Sequence, residues 1–154
     1  MHADSPLKEG IPSLYRYFLI MRRMQLSFEH ELNFGDWHLA AQSNPLCLPA
    51  LIATDPPAIF LSMWQATLYV VIEGWQQLGL NHPHLDVLLK SSNLEALKLH
   101  RHGTFHFHAG ATPKSCHKLL QSDDSIEWIY KTSEAFSSYF KDINEDALLL
   151  ALAS

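Results

Sequence analysis

The residues of this chain best suited to chemistry are Arg101, His102 and His106, in the segment LEALKLHRHGTFHFH. Histidine titrates near neutral pH, so it can give or take a proton. Arginine carries a permanent charge on a planar group whose N–H donors fit phosphate oxygens. RNA is cleaved without a metal when its own 2′-hydroxyl attacks the adjacent phosphorus, which requires a proton carrier and a cation beside the phosphate. Arg101 and His106 are the residue types that this reaction needs.

The spacing of Arg101 and His106 limits how they can act together. Residues five apart on an ideal helix lie about 140° apart around its axis, so these two side chains do not share a face. Either Arg101 bends round, or the site forms where two helices meet. The apolar spacing predicts that Arg101 lies on one helical stripe with Leu94, Leu97, Phe105 and His108.

The hexad RHGTFH has the pattern of an arginine, a polar residue, any three residues and a histidine. In this motif, and in the order of its predicted helices, the chain resembles the HEPN superfamily of helical bundles. The resemblance implies an all-α bundle of four to five helices, with short extra helices and with the hexad at the start of a late helix. It also implies a homodimer in which these helices face each other and form a composite cleft at the two-fold axis. Gly103 is expected to permit close backbone approach there.

The catalytic members of this superfamily are small, metal-independent ribonucleases, so the resemblance implies an endoribonuclease without a cofactor. Arg101 is then expected to bind and stabilise the phosphate, His106 to act as the general acid or base, and His102 to assist. The expected products carry a 2′,3′-cyclic phosphate and a free 5′-hydroxyl. The implied partners are RNA as substrate, and an antitoxin or another protein if the chain is a toxin or a phage-defence effector. His102 stands where the family most often has asparagine, which affects the detailed mechanism.

Glu73 is the only charge in a long apolar segment, and it has two interpretations. It is a candidate supporting residue for the hexad, one that contacts a catalytic side chain and not the substrate. Alternatively, it is a buried or edge carboxylate that pairs with a histidine or with a hydroxyl such as that of Tyr69.

A purely structural interpretation of the hexad stays open beside the catalytic one. In it, Arg101 pairs with an acid from another helix, such as Glu95 or one in the acidic tail, and His102 and His106 fill gaps in the core. The protein is then a non-catalytic HEPN-like module that dimerises or binds a nucleotide, RNA or a protein. Catalysis requires Arg101 and His106 to be exposed together in a cleft, so their surroundings distinguish the two.

A metal site is the third interpretation. His102 and His106 are four residues apart, so on a helix they share a face as zinc ligands do. Further donors lie nearby in the sequence or are conceivable: His100, His108, His117 and Glu73. No HExxH spacing is present, and we therefore expect no functional metal.

The charges are unevenly distributed along the chain. The 154 residues include 11 Lys and Arg against 16 Asp and Glu, for a net charge of −5. The whole excess falls in residues 123–154, whereas residues 90–118 are locally basic and hold five of the ten histidines. An acidic chain does not favour DNA as a partner, but the basic segment could hold a phosphate.

Length and composition predict one globular domain over residues 1–154. Of the residues, 47% are hydrophobic and only six are glycine, which favours helices over a turn-rich β-sandwich. No apolar run is long enough to span a bilayer, and the start lacks a signal-peptide pattern, so a cytoplasmic location and no membrane partner are expected. Two cysteines without CxxC spacing, Cys47 and Cys116, suggest buried thiols.

Prolines, glycines and apolar spacing predict the helices that must position the hexad. A first helix is expected over residues 12–32, then a connection over 33–56 with a short helical turn. Asp55 and two prolines start a buried helix that Gly79 ends. A short helix is expected over residues 85–90, and the next helix, starting after Ser91-Ser92-Asn93, carries the hexad. A last long helix is expected from about residue 125, followed by an apolar piece at residues 147–153.

Overall fold

The computed structural model describes residues 5–35, 55–106, 119 and 122–143. This part of the chain is built from helices and contains no strand. The all-α class predicted from the sequence is therefore confirmed. In chain order the helices are α1 (Ser5–Phe34), α2 (Pro56–Gln77), α3 (Pro83–Leu88), α4 (Asn93–Phe105) and α5 (Ser125–Asp142).

Helices α1 and α2 form an antiparallel pair and share the most extensive interface between described elements. Gly10 near the start of α1 lies against Leu78, just after α2, whereas Phe28 lies 5.9 Å from Trp64 between ring centres. A Cβ atom on Gly74 would lie only 2.9 Å from Cδ1 of Leu14. The absence of a side chain at Gly74 therefore lets the two backbones approach closely.

Helix α2 is the central element of the bundle. It begins with Pro56 at a position where a missing N–H is tolerated, and the chain turns away at Gly79, whose φ is +63°. Its buried apolar side chains cover more than half of the helix circumference, which explains the almost uninterrupted apolar sequence. They are Trp64, Ala66, Leu68, Tyr69, Val71, Ile72 and Trp75.

Helix α5 closes the core against both α1 and α2 through aromatic rings. Phe140 lies 4.7 Å from Phe18 of α1, and Trp75 of α2 lies 5.6 Å from Phe136, both measured between ring centres. The indole N–H of Trp64 also donates a hydrogen bond to Oγ of Ser133, at 3.1 Å. This bond satisfies the one polar group of a tryptophan that has no exposed surface.

Helices α3 and α4 are joined to the bundle by directed polar contacts. Trp128 of α5 donates a hydrogen bond to the carbonyl of Leu88, the last residue of α3, at 2.9 Å. The side-chain amide of Asn93 donates to Oδ1 of Asp124 at 3.1 Å, so the first turn of α4 is tied to the start of α5. Among the described elements, α4 packs chiefly on α2.

The buried face of α4 differs from the predicted stripe. Leu97 is fully buried as expected, but the other buried side chains are Asn93 and His100. Phe105, which the apolar spacing placed on the inner face, is 46% exposed. The face is rotated because His100 and Thr104 make hydrogen bonds on the α2 side, and a pattern of apolar residues cannot reveal this.

The boundaries of α1 and α3 differ from the predicted ones. Helix α1 covers Ser5–Phe34, so it begins seven residues before the predicted start at Pro12 and ends two residues after the predicted end. Pro12 lies inside this helix and removes one backbone hydrogen bond without ending it. Helix α3 covers Pro83–Leu88 and so begins and ends two residues earlier than predicted. The last long helix begins at Ser125 as predicted.

Several predictions fall outside the described residues. The helical turn within residues 33–56 would lie mostly in 36–54, and the apolar piece at 147–153 and both cysteines also lie outside. The single domain over residues 1–154 stays a prediction.

Across residues 5–35, 55–106, 119 and 122–143, no helix combines the length and the apolar character that crossing a membrane requires.

Candidate functional site

The hexad lies at the carboxyl end of α4, not at the start of a helix as the resemblance implied. Arg101 and His102 are in the last turns of α4, which ends at Phe105. His106 follows the helix with extended backbone angles, φ −117° and ψ 139°. Its backbone N–H still donates to the carbonyl of His102, at 3.1 Å. The helix therefore ends directly before His106, the residue that was predicted to act as the general acid or base.

His102 and His106 are brought together on the surface. Their ring centres are 4.4 Å apart and their planes differ by 40°. Both residues are exposed. The interpretation in which these two histidines fill gaps in the core is therefore wrong for this part of the chain. Two adjacent imidazoles in contact with solvent can exchange protons with a bound molecule.

Arg101 faces a different group, the carboxylate of Glu73 on α2. Nη2 of Arg101 lies 3.6 Å from Oε2 of Glu73, and the two side chains are 31% and 38% exposed. This partner is neither Glu95 nor an acid of the tail, the partners named in the purely structural interpretation. The separation is too long for a hydrogen bond, so it is an ion pair that leaves donors and acceptors of both groups unused.

The Nε–H group of Arg101 is a further donor that is not used. Its Nε atom is buried and has no hydrogen-bond acceptor among the described residues. A buried donor without an acceptor costs free energy.

The charges of Glu73 and Arg101 also act on the buried Tyr69, one turn before Glu73 on α2. Burial raises the pKa of the Tyr69 hydroxyl, the negative charge of Glu73 raises it further, and Arg101 opposes this effect. Glu95 of α4 contributes in the same direction as Glu73. The Tyr69 hydroxyl thus stays protonated at neutral pH.

Arg101 and Glu73 lie at the wall of a groove between α1 and α2. The groove has a volume of about 410 Å³, within the range of roughly 300–1,000 Å³ that small-molecule sites occupy. Its polar lining comes from three helices, and the rest is apolar or glycine. The polar residues are Ser13, Tyr17, Glu73, Gln77 and Arg101.

The groove between α1 and α2 does not bring Arg101 and His106 together. The residues that line the groove include Arg101 but neither His102 nor His106. The side chains diverge, as the predicted separation of about 140° indicates. Arg101 lies toward the groove, whereas His102 and His106 lie toward solvent. A joint site for these groups requires either movement of Arg101 or a second copy of the chain, as the resemblance implies.

Reasoning from the sequence missed the role of His100. This side chain is only 6% exposed, and its Nε2 lies 3.2 Å from Oγ of Ser62 on α2. Thr104 completes the cluster with its hydroxyl 3.3 Å from that of Ser62. Burial lowers the pKa of His100, and the hydrogen bond with the Ser62 backbone opposes this only in part. The signal in the sequence was that His100 and Thr104 are four residues apart and so share a helix face.

The buried imidazole predicts a dependence of stability on pH. Because the pKa of His100 is lowered in the fold, the unfolded chain takes up a proton there first as the pH falls. The stabilisation is complete above the ordinary histidine pKa of about 6.5 and is lost progressively below it. His100→Gln should reduce the loss of unfolding free energy between pH 7.5 and pH 5, by up to about 1.4 kcal/mol per pH unit.

Urea unfolding of both proteins at several pH values measures this difference. His84→Gln removes an exposed histidine and serves as the control, with the wild-type dependence expected. Equal acid sensitivity of the wild type and His100→Gln would contradict the prediction.

The described residues contain no group of three or more His, Cys, Asp or Glu side chains that could hold a metal ion. His102 and His106 supply a pair, and Glu73 pairs with Arg101. His108 and His117 lie outside the described residues.

Comparisons with protein-family models, curated proteins and solved structures found no match for this chain. What the site can do therefore has to be argued from its own groups.

Proposed function

We propose that this protein is a metal-independent endoribonuclease in which Arg101 binds the scissile phosphate and His106 moves the proton. The observation that carries the proposal is the exposed pair of imidazoles, His102 and His106, with ring centres 4.4 Å apart and within five residues of a partly exposed arginine. These are the groups that phosphodiester cleavage by the 2′-hydroxyl requires. The HEPN resemblance of the hexad supports the same reaction.

The reaction balances without a cofactor. The 2′-oxygen loses its proton and forms a bond to phosphorus, and the bond from phosphorus to the 5′-oxygen breaks. The 5′-oxygen takes up a proton, which leaves a 2′,3′-cyclic phosphate on one fragment and a hydroxyl on the other. Arg101 stabilises the added negative charge of the phosphate in the transition state. His106 gives or takes one of the two protons, and His102 beside it assists.

A homodimer belongs to this proposal. In one copy of the described chain Arg101 lines the groove between α1 and α2, whereas His106 is exposed to solvent. Facing copies of α4 would allow the arginine of one subunit and the histidine of the other to reach one phosphate. A protein antitoxin that covers this surface, and a cytoplasmic role as a toxin or defence effector, are parts of the same proposal.

The test is cleavage of a mixed RNA by the purified protein in EDTA. We expect fragments with 2′,3′-cyclic phosphate ends, and no cleavage of the same sequence as DNA, since DNA lacks the attacking hydroxyl. Fragments with 3′-hydroxyl ends, or cleavage that stops in EDTA, would contradict the proposed mechanism.

A second candidate function is favoured by the ion pair between Arg101 and Glu73. An arginine already held by an acid of another helix is what the purely structural interpretation predicts. In that case the protein is a non-catalytic HEPN-like module that binds a nucleotide, RNA or a protein. A folded dimer that binds RNA but leaves it intact in the cleavage assay would favour this function.

A further inference from the structure

We infer that the groove between α1 and α2 is a ribonucleotide subsite, in which Arg101 binds a 3′-phosphate and Glu73 accepts the hydrogen of the neighbouring 2′-hydroxyl. The inference deepens the proposed function and depends on it for its biological meaning. The binding itself can be measured without any cleavage.

The two charged groups have unused hydrogen-bonding capacity. Nη2 of Arg101 and Oε2 of Glu73 are 3.6 Å apart, and the described residues supply no hydrogen bond to either side chain. A donor-rich cation and an acceptor therefore lie next to each other at the wall of one groove. A ligand that fits this pair presents an anionic acceptor and a hydroxyl or N–H donor side by side.

A ribonucleotide presents the two groups that this pair of side chains can bind. The 2′-hydroxyl and the 3′-phosphate are attached to adjacent carbon atoms of the ribose, so they present a donor and an anionic acceptor at close distance. The phosphate matches the fork of Arg101, and the 2′-hydroxyl matches the carboxylate of Glu73. Deoxyribonucleotides lack the hydroxyl, and that hydroxyl is what allows a protein to tell RNA from DNA at one position.

The size of the groove and the aromatic ring in its lining also suit a nucleotide. Its volume of about 410 Å³ suits a single small ligand. Tyr17 lines it and is 37% exposed, and the guanidinium of Arg16 lies 5.0 Å from its ring centre. A base that stacks on the opposite face of this ring would be held without sequence preference. Gln77, at the end of α2, adds an amide for further hydrogen bonds.

Isothermal titration calorimetry of the purified protein, in whichever oligomeric state it has, tests the inference with two probes. They are adenosine 3′-phosphate and 2′-deoxyadenosine 3′-phosphate, which differ only in the 2′-hydroxyl. We expect the ribonucleotide to bind about ten-fold more tightly or better, as a hydrogen bond to a charged acceptor warrants. Equal affinities, or no binding of either probe, would overturn the inference, and neither outcome depends on a variant.

Variants then assign the discrimination to residues. Glu73→Gln keeps the volume but removes the charged acceptor, and it should reduce the preference for the ribonucleotide to about two-fold or less. Arg101→Met should weaken both probes equally. Glu127→Gln is the control, because Glu127 is also an acid in an ion pair, with Lys131 on α5, and does not line the groove. If Glu73→Gln lowers the melting temperature but keeps the wild-type preference, Glu73 has only a structural role and the inference is wrong.

The failure of this inference is distinguishable from that of the proposed function. Intact RNA in the cleavage assay together with a ten-fold ribonucleotide preference would remove catalysis and keep the subsite. Cleavage with cyclic-phosphate ends together with equal affinities for the two probes would keep catalysis and remove the subsite.

Discussion

His106→Ala is expected to lower the rate of RNA cleavage by roughly 10²- to 10⁴-fold, the contribution that a positioned acid or base makes. The side chain is exposed and lies beyond the end of α4, so its loss should change the free energy of unfolding by less than about 0.5 kcal/mol. The rate is measured in EDTA on one labelled RNA, and the melting temperature is measured on the same preparation.

His84→Ala is the matched control for this substitution, because His84 is another exposed histidine and lies on α3, outside the hexad. It should cleave at the wild-type rate. His102→Asn introduces the residue that is most common at this position in the HEPN superfamily, which the hexad resembles. This variant should retain most of the activity. Undiminished cleavage by His106→Ala would show that this histidine does not carry the proton.

Trp64→Ala is expected to destabilise the fold by about 3–5 kcal/mol. Trp64 has no exposed surface, and its ring contacts Phe28 of α1 and Tyr130 of α5, at 5.9 Å and 4.8 Å between ring centres. Its replacement leaves a cavity at a point where three helices meet and removes the hydrogen bond to Ser133. Since small domains are stable by only about 5–15 kcal/mol, the loss is a large part of the total. Urea unfolding followed by circular dichroism measures it.

Two companion variants separate packing from hydrogen bonding at this position. Ser133→Ala leaves the indole N–H buried without its acceptor, and should cost about 1–3 kcal/mol. Val87→Ala removes an apolar side chain that is 68% exposed and should cost less than about 0.5 kcal/mol. A loss for Trp64→Ala as small as that for Val87→Ala would mean that the described core is wrong at Trp64.

The sequence was most informative where chain chemistry alone defines an element. Helix α2 starts at the two prolines, directly after Asp55, whose side chain makes no capping hydrogen bond, and its end follows from Gly79, which adopts a positive φ. The burial of α2 was also expected, and its tryptophans Trp64 and Trp75 are both buried. These signals are local, so no knowledge of the neighbouring helices was needed.

The sequence was less informative where a neighbouring helix decides the outcome. The inner face of α4 was assigned from apolar spacing, which placed Phe105 inside. In the structure His100 takes that side, because Ser62 of α2 offers its imidazole a hydrogen bond. A polar side chain with a buried partner resembles an exposed one in a sequence, since only the partner distinguishes them.

The candidate site was predicted in its parts but not in its pairings. Arg101, His102, His106 and Glu73 were all recognised by type. The pairing of Arg101 with Glu73 rather than Glu95 depends on how α4 lies across α2. Part of it was expected, because Glu73 was already a candidate to support the hexad and a lone acid in an apolar helix needs a cation.

Among the described elements α4 packs chiefly on α2, and this has a consequence for how the molecule unfolds. Its Leu97 is the one fully buried apolar side chain of the helix, whereas α1, α2 and α5 share a common aromatic core. A helix with so few buried apolar groups can detach from α2 at a smaller free energy than global unfolding requires. Amide hydrogens of α4 should then exchange with solvent through local unfolding, whereas those of α2 should exchange only when the whole bundle unfolds. The hexad thus belongs to the least cooperative of the long helices, which can reorient while the core stays folded.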